Sequence, residues 1–336
     1  MTLRDQGSAP LIFDRRLRRQ RRERAAPALA SVDFLIREVG SRLAERVADV
    51  RRRFPLALDL GCHTGQLAEA LGSSSPVEHL VQSDLALAMA RRAPGMRLVA
   101  DEELLPFAPE RFDLVLSCLC LHWVNDLPGT LAQIAHVLRP DGLLLAALLG
   151  GTTLPELREA LLRAELELDG GASLRVSPFV ELRDAGALLR RAGFALPIVD
   201  VETIAVTYDH PLRLMRELRL MGEANALLDR PRRPLRRATL LRACELYQEL
   251  FADAAGRVPA TFQILMLSGW KPDPDQPQPL RRGIGQVSLA RALGAPPETL
   301  EHHTRRRPGE DARGAADAAG PPPIGGRRDA QQRASM

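Results

Sequence analysis

Residues 56–66 read LALDLGCHTGQ, and this stretch decides the fold. An apolar run ends in Asp59, glycines follow at Gly61 and Gly65, and helix-forming residues begin at Gln66. This order predicts a buried strand, a tight turn and the start of a helix, the opening of an α/β nucleotide-type site. A side chain at either glycine would keep a ligand away from the backbone N–H groups. The Asp-x-Gly-x-x-x-Gly spacing lacks the third glycine of the NAD and FAD fingerprint, so a dinucleotide site of that kind is not predicted.

The composition is that of a globular protein, with 45% of the 336 residues hydrophobic and 26% charged. No apolar run approaches the roughly 20 residues that span a bilayer, and the arginine-rich N-terminus lacks the apolar core of a secretory signal. The four cysteines form no Cys-x-x-Cys pair and are too few for a disulfide framework, which favours a reducing compartment. Because the chain has 46 basic residues and a single lysine, Lys271, its arginine bias is typical of a GC-rich genome. We therefore expect a bacterial cytoplasm, with the mitochondrial matrix as the alternative.

The net charge of +4 is concentrated at the N-terminus. Residues 1–30 carry eight Arg and three acidic residues, which leaves 38 basic and 39 acidic residues, a charge of about −1, for the rest of the chain. A near-neutral body argues against a nucleic-acid binder, which needs a concentrated basic face. Residues 11–26, LIFDRRLRRQRRERAA, predict a basic helix. One interpretation of this helix is a peripheral membrane contact. The other is a helix that either covers the ligand cleft or lies in solvent.

Strands and helices alternate from residue 56 onward, and acidic residues follow the first three predicted strands. Asp59 ends the first strand, Asp84 ends the second, and Asp101 and Glu102 follow the third. The carboxyl ends of parallel strands share one edge of a sheet, which is where ligands bind. Asp84 suits bidentate hydrogen bonding to a ribose diol. Each of these residues also fits a helix cap or an exposed loop position.

A fourth strand, FDLVLSCL at residues 112–119, is apolar throughout, as expected at the centre of a parallel sheet. The sequence LHWVNDLP follows, so we expect His122, Trp123, Asn125 and Asp126 to lie beside the reacting groups. His122 fits either a general base or a hydrogen-bonded wall, and Trp123 also fits a packing role. We find no spacing of metal ligands, no Gly-x-Ser-x-Gly elbow and no Walker loop, so no metal site is predicted.

The chain divides into four predicted parts. These are a basic helical segment (1–50), a ligand-binding core (51–151), the rest of the core with a helical lid (152–271) and a Pro-, Gly- and Arg-rich disordered tail (272–336). Residues 198–208 and 261–270 are predicted strands, and residues 211–228 and 235–251 are predicted helices of the lid. The two strands fit an antiparallel pair at the end of the sheet.

The glycine turn resembles motif I of the class I S-adenosylmethionine methyltransferases, with His63 in place of a further glycine. Taken alone, the turn also fits an ordinary strand-to-helix connection. Longer segments resemble one branch of this superfamily, that of the mitochondrial respiratory complex I assembly factor that is an arginine hydroxylase, with its alphaproteobacterial relatives. They cover about three quarters of the chain and read IFDRRLRR, ADEELLPF, FDLVLSCLCLHWVNDLP, RPDG, GGTTLPELR, SPF, LLRRAGF, LMRELRLMGEANA and VPATFQILMLSGWK.

The resemblance implies a class I α/β fold with a seven-stranded sheet and S-adenosylmethionine as the cofactor. It implies a bulkier wall at His63 beside the methionine end of the cofactor, and an adenine contact from the Asp101–Glu102 pair. The cofactor-binding residues that we expect are Asp59, Gly61, Cys62, His63, Gly65, Asp84, Leu85, Asp101, Glu102 and Ser117. The implied activity is hydroxylation of an arginine on the complex I subunit that carries the terminal iron–sulfur cluster.

Two other functions fit parts of the sequence. Malonyl-carrier-protein O-methyltransferases share the TLPELR region and a late PATFQ-like strand, and would bind an acidic carrier near the arginines of residues 230–242. Those arginines also fit a solvated helix face. A non-catalytic assembly chaperone would keep the fold without the chemistry. Because the cofactor donates methyl groups and no iron site is visible, the expected hydroxylase activity rests on the resemblance.

Overall fold

The computed structural model describes residues 11–276, which form a seven-stranded sheet with helices on both faces. The strands are β1 (Phe54–Leu60), β2 (Val77–Asp84), β3 (Met96–Val99), β4 (Phe112–Cys118), β5 (Leu138–Leu149), β6 (Ala195–Tyr208) and β7 (Val258–Trp270). Their order across the sheet is β3-β2-β1-β4-β5-β7-β6. Strands β1 to β5 are parallel, and β7 runs antiparallel to both β5 and β6. This confirms the seven-stranded α/β sheet and its terminal antiparallel pair.

Nine α-helices connect and cover the strands in the described range. They are α1 (Arg15–Ala25), α2 (Phe34–Asp49), α3 (Gln66–Leu71), α4 (Leu87–Ala90), α5 (Leu127–Val137), α6 (Pro155–Leu168), α7 (Leu182–Arg191), α8 (Pro211–Leu220) and α9 (Arg237–Phe251). No helix within residues 11–276 is both long and apolar enough to cross a bilayer.

The hydrophobic core lies on both faces of the sheet. Every residue of β4 is buried, as its continuous apolar sequence predicts for a central parallel strand. On one face α2 packs its apolar side against β4 and β5, and on the other face α5 and α7 cover the sheet. Because β1 pairs in parallel with both β2 and β4, the carboxyl ends of these three strands meet at one edge.

One local prediction was wrong. The helix predicted over residues 211–228 ends at Leu220, because Gly222 takes the left-handed conformation with φ of 82° and stops the helix. Residues 221–236 therefore form an irregular segment, which we call the lid loop. Its Ala226 carbonyl accepts a hydrogen bond of 2.8 Å from the backbone N–H of Asp14, so the lid loop packs on the N-terminal segment.

The predicted tail begins inside the described range. Residues 272–276 include a turn, and the Gln276 side chain donates to Asp141 Oδ1 at 2.7 Å and to the Lys271 carbonyl at 2.9 Å. The rest of the predicted disordered tail, residues 277–336, lies outside the described residues, as do residues 1–10 of the basic segment.

Candidate functional site

The turn after β1 lies at the edge of the sheet, and the backbone N–H groups of Gly61 and Cys62 donate to the Ser83 carbonyl at 2.8 and 2.9 Å. Gly61 has a φ of 80° and Gly65 a φ of 98°, both in the left-handed region that favours glycine. A Cβ atom at Gly61 would overlap the Cys120 side chain, and one at Gly65 would overlap the ring of Pro94. Both glycines are therefore required by backbone conformation and by close packing, as the sequence predicts.

His63 lies within this turn and also has a positive φ, of 53°. Its side chain is buried, and Nε2 donates to the Cys118 carbonyl at 2.9 Å. Burial, with the positive charge of Arg22, lowers the pKa of His63 to about 3, so the ring is neutral. The imidazole therefore ties the turn to the end of β4 as a neutral group.

Asp59 is a fully buried carboxylate at the end of β1. Neither of its oxygens has a hydrogen-bond partner among the described residues. Burial and the nearby Asp84 raise the pKa of Asp59 to about 8. An unpartnered buried acid of this kind is costly in the protein alone and is suited to a cationic ligand.

Asp84 ends β2 and is also fully buried. Its oxygens accept hydrogen bonds from the backbone N–H of Ala86 at 2.8 Å and of His63 at 3.1 Å. Arg22 of helix α1 donates to the same carboxylate, through Nε at 3.2 Å and through Nη2. The basic N-terminal helix therefore covers the cleft, and it forms an ion pair with the predicted ribose-binding residue.

The acidic pair after β3 is also held by helix α1. Arg15 Nη2 lies 2.5 Å from Asp101 Oδ1 and forms an ion pair with the buried Glu102. The Cys120 thiol donates to the other oxygen of Glu102 at 3.2 Å. These two carboxylates lie together at the sheet edge, as predicted, and they bind a guanidinium in this structure.

A second cluster surrounds the residues after β4. His122 and Trp123 are buried, and Trp123 Nε1 donates to Glu223 Oε2 at 2.6 Å. His122 Nε2 lies 3.5 Å from the same oxygen. Arg18 of α1 donates to Glu223 Oε1 at 2.7 Å. Burial alone would raise the pKa of Glu223, but the charge of Arg18 and the contact with His122 outweigh it and hold the pKa well below its usual range.

Glu223 was not predicted as a site residue. It falls within LMGEANA, inside the stretch predicted to be helical. The signal that sequence reasoning overlooked is Gly222, since a glycine after a basic helical run commonly ends the helix. Once the helix ends there, the next residue turns toward the cleft.

Asn125 and Asp126 make structural contacts. Asn125 Oδ1 accepts hydrogen bonds of 2.7 Å from the backbone N–H of Ile12 and of Phe13, and so anchors the segment before α1. The exposed Asp126 caps helix α5 by accepting a hydrogen bond of 2.9 Å from Gly129 N–H. Asn125 therefore holds the segment that leads into helix α1, and Asp126 lies at the N-terminus of helix α5.

The remaining predicted cofactor residues lie in the wall of the turn. Ser117 Oγ donates to the Leu60 carbonyl at 2.7 Å and ties β4 to β1. Leu85 and Cys62 are buried, and burial raises the pKa of the Cys62 thiol. These side chains therefore support the turn as neutral groups.

An apolar cavity of about 470 Å³ opens beside the second cluster. Trp123 and Glu223 form part of its wall, and most of the rest is aliphatic or aromatic, including Phe179, Met215 and Leu218. Within residues 11–276, no group of three or more His, Cys, Asp or Glu side chains is placed to hold a metal ion.

Comparison with known proteins gives consistent matches. The family model for a methyltransferase domain, Methyltransf_11, matches residues 58–146. Arginine-hydroxylase NDUFAF5, mitochondrial, of Danio rerio is 46% identical over 286 residues, which span 83% of this chain and 88% of that protein. The Homo sapiens protein of the same name is 45% identical over 285 residues, with 83% and 82% covered. Malonyl-[acyl-carrier protein] O-methyltransferase of Laribacter hongkongensis is 37% identical over 267 residues, with 74% and 87% covered.

The cofactor of such a domain, S-adenosylmethionine, fits the residues present. Its sulfonium and ammonium groups are cations, and Asp59 supplies a buried acid without a partner among the described residues. Gly61 and Gly65, both in the left-handed region, shape the turn beside that acid. Asp84 stands at the second strand end, where a ribose diol is expected. The matched domain, the strand order and the extent of identity show that the chain belongs to the class I S-adenosylmethionine-dependent methyltransferase superfamily, in the branch of arginine-hydroxylase NDUFAF5.

Proposed function

We propose that this protein hydroxylates an arginine side chain of a respiratory complex I subunit, the one that carries the terminal iron–sulfur cluster, during assembly. The observation that carries the proposal is the extent of likeness to proteins named arginine-hydroxylase, 46% identity over 286 residues. The cleft supports the proposal chemically, because Glu223, which is not among the expected cofactor contacts, already binds a guanidinium group. A carboxylate of this kind suits an enzyme that acts on arginine.

The test uses intact cells, because hydroxylation requires an oxidant in addition to the protein and its cofactor. The cluster-bearing subunit is purified from cells with and without the gene, and its arginine-containing peptides are analysed by mass spectrometry. We expect one arginine to lose the mass of one oxygen atom in the deletion strain. A subunit of unchanged mass would overturn the proposal.

Complementation makes the same experiment specific for the site. Wild-type protein should restore the oxygen, whereas an Asp84→Asn variant, which lacks the ribose carboxylate, should not. Asp229→Asn is the matched control, since Asp229 is an exposed carboxylate of the lid loop. If assembly proceeds with the Asp84→Asn variant while the oxygen is absent, the protein acts in assembly as a non-catalytic chaperone.

A carboxyl O-methyltransferase is the second candidate, and one surface favours it. A groove of about 850 Å³ between α1, α8 and the lid loop has an arginine-rich wall. Its arginines are Arg21, Arg24, Arg175, Arg219, Arg230, Arg232 and Arg233. Two of them are neutralised within the chain, Arg175 by Glu165 and Arg230 by Asp14.

The groove therefore fits an acidic carrier protein, as well as a substrate arginine that lies in an acidic segment. Reversal of charge at the exposed Arg232 and Arg233 should weaken binding of a malonyl-carrier protein if the second candidate is right. A methyl ester on the carrier, absent in the deletion strain, would establish that activity. Undiminished binding and no ester would exclude it.

The proposed compartment is a bacterial cytoplasm, and the mitochondrial names of the relatives support the alternative of a mitochondrial matrix. A peripheral membrane contact through the N-terminus would have to use the exposed face of α1, where Arg16 and Arg19 lie. Co-sedimentation with anionic vesicles tests that contact. The wild-type protein should sediment with the vesicles, and an Arg16→Glu/Arg19→Glu variant should not.

A further inference from the structure

Arg18 of helix α1 is 1% exposed, and its guanidinium lies in a box of groups from distant parts of the chain. Besides its ion pair with Glu223, Nη1 donates to the Gly222 carbonyl at 2.5 Å. The guanidinium carbon lies 4.4 Å from the centroid of the Trp123 ring. A carboxylate, a carbonyl and an aromatic face together recognise guanidinium groups by charge, hydrogen bonding and cation–π attraction.

One contact within the box, between the Glu223 carboxylate and the Trp123 indole, does not involve helix α1. Trp123 Nε1 donates to Glu223 Oε2, which fixes the carboxylate against the indole, and His122 lies 3.5 Å from the same oxygen. These residues follow β4 and begin the lid loop, at the edge of the sheet where the cofactor glycines lie. A binding site for a guanidinium therefore stands next to the cofactor turn.

The apolar cavity of about 470 Å³ leads to this box, because Trp123 and Glu223 belong to its wall. An arginine side chain has an apolar stem and a charged end. Its stem fits a cavity lined by groups such as Phe179, Met215 and Leu218, while its guanidinium reaches Glu223. The apolar cavity therefore matches the stem of an arginine side chain, and the box matches its guanidinium.

Arg18 is held less favourably than its neighbour on the same helix. Burial lowers the pKa of Arg18, and Glu223 does not fully offset this, partly because the charge of Arg22 opposes it. By contrast, Asp84 outweighs burial at Arg22 and raises its pKa. Glu223 and the Gly222 carbonyl can make the same contacts with any guanidinium, so a second one can take the place of Arg18 once helix α1 moves.

We propose that Trp123, Gly222 and Glu223 form a guanidinium-binding subsite for the substrate arginine, which Arg18 occupies as an internal substitute when no substrate is bound. The inference rests on the proposed function for the identity of the substrate. Arg22 lies one turn beyond Arg18 on the same face and holds Asp84. A shift of α1 therefore opens the subsite and the ribose carboxylate together, so that cofactor and substrate binding are coupled.

The test is a binding titration of the full-length protein, followed by the fluorescence of Trp123. The chain has two tryptophans, so a Trp270→Phe background leaves Trp123 as the single reporter. N-acetyl-arginine amide is the probe, and N-acetyl-lysine amide tests for the planar fork of the guanidinium. The variants are Arg18→Ala, Arg18→Met, which keeps an apolar stem, and Arg18→Ala/Glu223→Gln. Arg19→Ala, on the exposed side of the same helix, is the matched control.

We expect the two Arg18 variants to bind the arginine probe at least tenfold more tightly than the control, and to prefer it to the lysine probe. The additional Glu223→Gln change should abolish this gain. Equal binding by Arg18→Ala and Arg19→Ala would overturn the proposal and make the box a structural ion pair. If neither Arg18 variant folds alone, the arginine probe should restore folding, and failure to do so would also overturn it.

The titration measures binding and not oxygen insertion, so it separates the two claims. Tight arginine binding with no hydroxylated subunit in cells would leave the subsite standing and remove the proposed activity. A hydroxylated subunit without arginine-specific binding would support the proposed activity and remove the subsite.

Discussion

Replacement of Arg22 by alanine should weaken the folded protein and strengthen its binding of S-adenosylmethionine. Arg22 and Asp84 are both buried and form a direct ion pair in which Arg22 Nε and Nη2 both donate. Removal of one partner of a buried pair costs about 3–5 kcal/mol, because the other charge stays buried without compensation. At about 2–4 °C per kcal/mol for a body of this size, the melting temperature should fall by roughly 6–20 °C.

The cofactor should bind more tightly to the same variant. With Asp84 as the proposed ribose-binding residue, the ribose hydroxyls compete with Arg22 in the wild-type protein, whereas in the variant this carboxylate has lost its guanidinium partner. We expect the affinity to rise about tenfold or more, which corresponds to about 1.4 kcal/mol. Cofactor should therefore return part of the lost stability.

Isothermal titration calorimetry with S-adenosylmethionine, and thermal unfolding with and without it, measure both effects. Arg22→Met keeps an apolar stem and should behave like Arg22→Ala, and the exposed Arg19→Ala should change neither quantity. Weaker cofactor binding in Arg22→Ala would refute the reasoning, because Arg22 would then hold the cofactor instead of competing with it.

Three further predictions concern single side chains. Burial and a nearby carboxylate raise the pKa of Asp59 to about 8 from 3.8, so the folded state keeps a proton that the unfolded state loses. The free energy of unfolding should fall as the pH rises from about 4 to 8, and Asp59→Asn should remove that fall. Thermal melts across this range measure it, and parallel pH profiles of the variant and the wild-type protein would contradict the prediction. Burial lowers the pKa of His63 to about 3 from 6.5, so the unfolded state alone gains a proton as the pH falls through that range. The free energy of unfolding should therefore fall on acidification, and His63→Gln should reduce this fall. The same loss of stability at low pH in the variant and in the wild-type protein would contradict the prediction. Asn125→Ala removes the acceptor for the N–H groups of Ile12 and Phe13, which should cost about 0.5–1.5 kcal/mol and speed deuterium exchange there. Unaltered exchange would argue against the anchor.

The sheet and the cofactor turn were predictable because local sequence specifies them. The central parallel strands β1, β4 and β5 contain apolar runs, and the burial of β4 at every position is the direct result of its composition. Gly61 and Gly65 are required by their own φ angles, which the Asp-x-Gly-x-x-x-Gly spacing signals. The meeting of Asp84 and Glu102 at one edge follows from parallel topology alone.

A helix over the cleft was one of the interpretations of residues 11–26, but no local pattern specified the ion pairs that hold it there. Arg22 is separated from Asp84 by 62 positions and Arg18 from Glu223 by 205, so only the tertiary fold brings these charges together. An arginine-rich helix ordinarily predicts a solvated face, since a single buried arginine is costly. Here the carboxylates of the site offset that cost.

Our central proposal is that helix α1 and the cofactor compete for Asp84. A crystal structure with S-adenosylmethionine bound tests this competition most directly. We predict that the ribose hydroxyls lie within hydrogen-bond distance of Asp84, and that the guanidinium of Arg22 has left this carboxylate. A cofactor bound while Arg22 still pairs with Asp84, with its ribose elsewhere, would contradict the account.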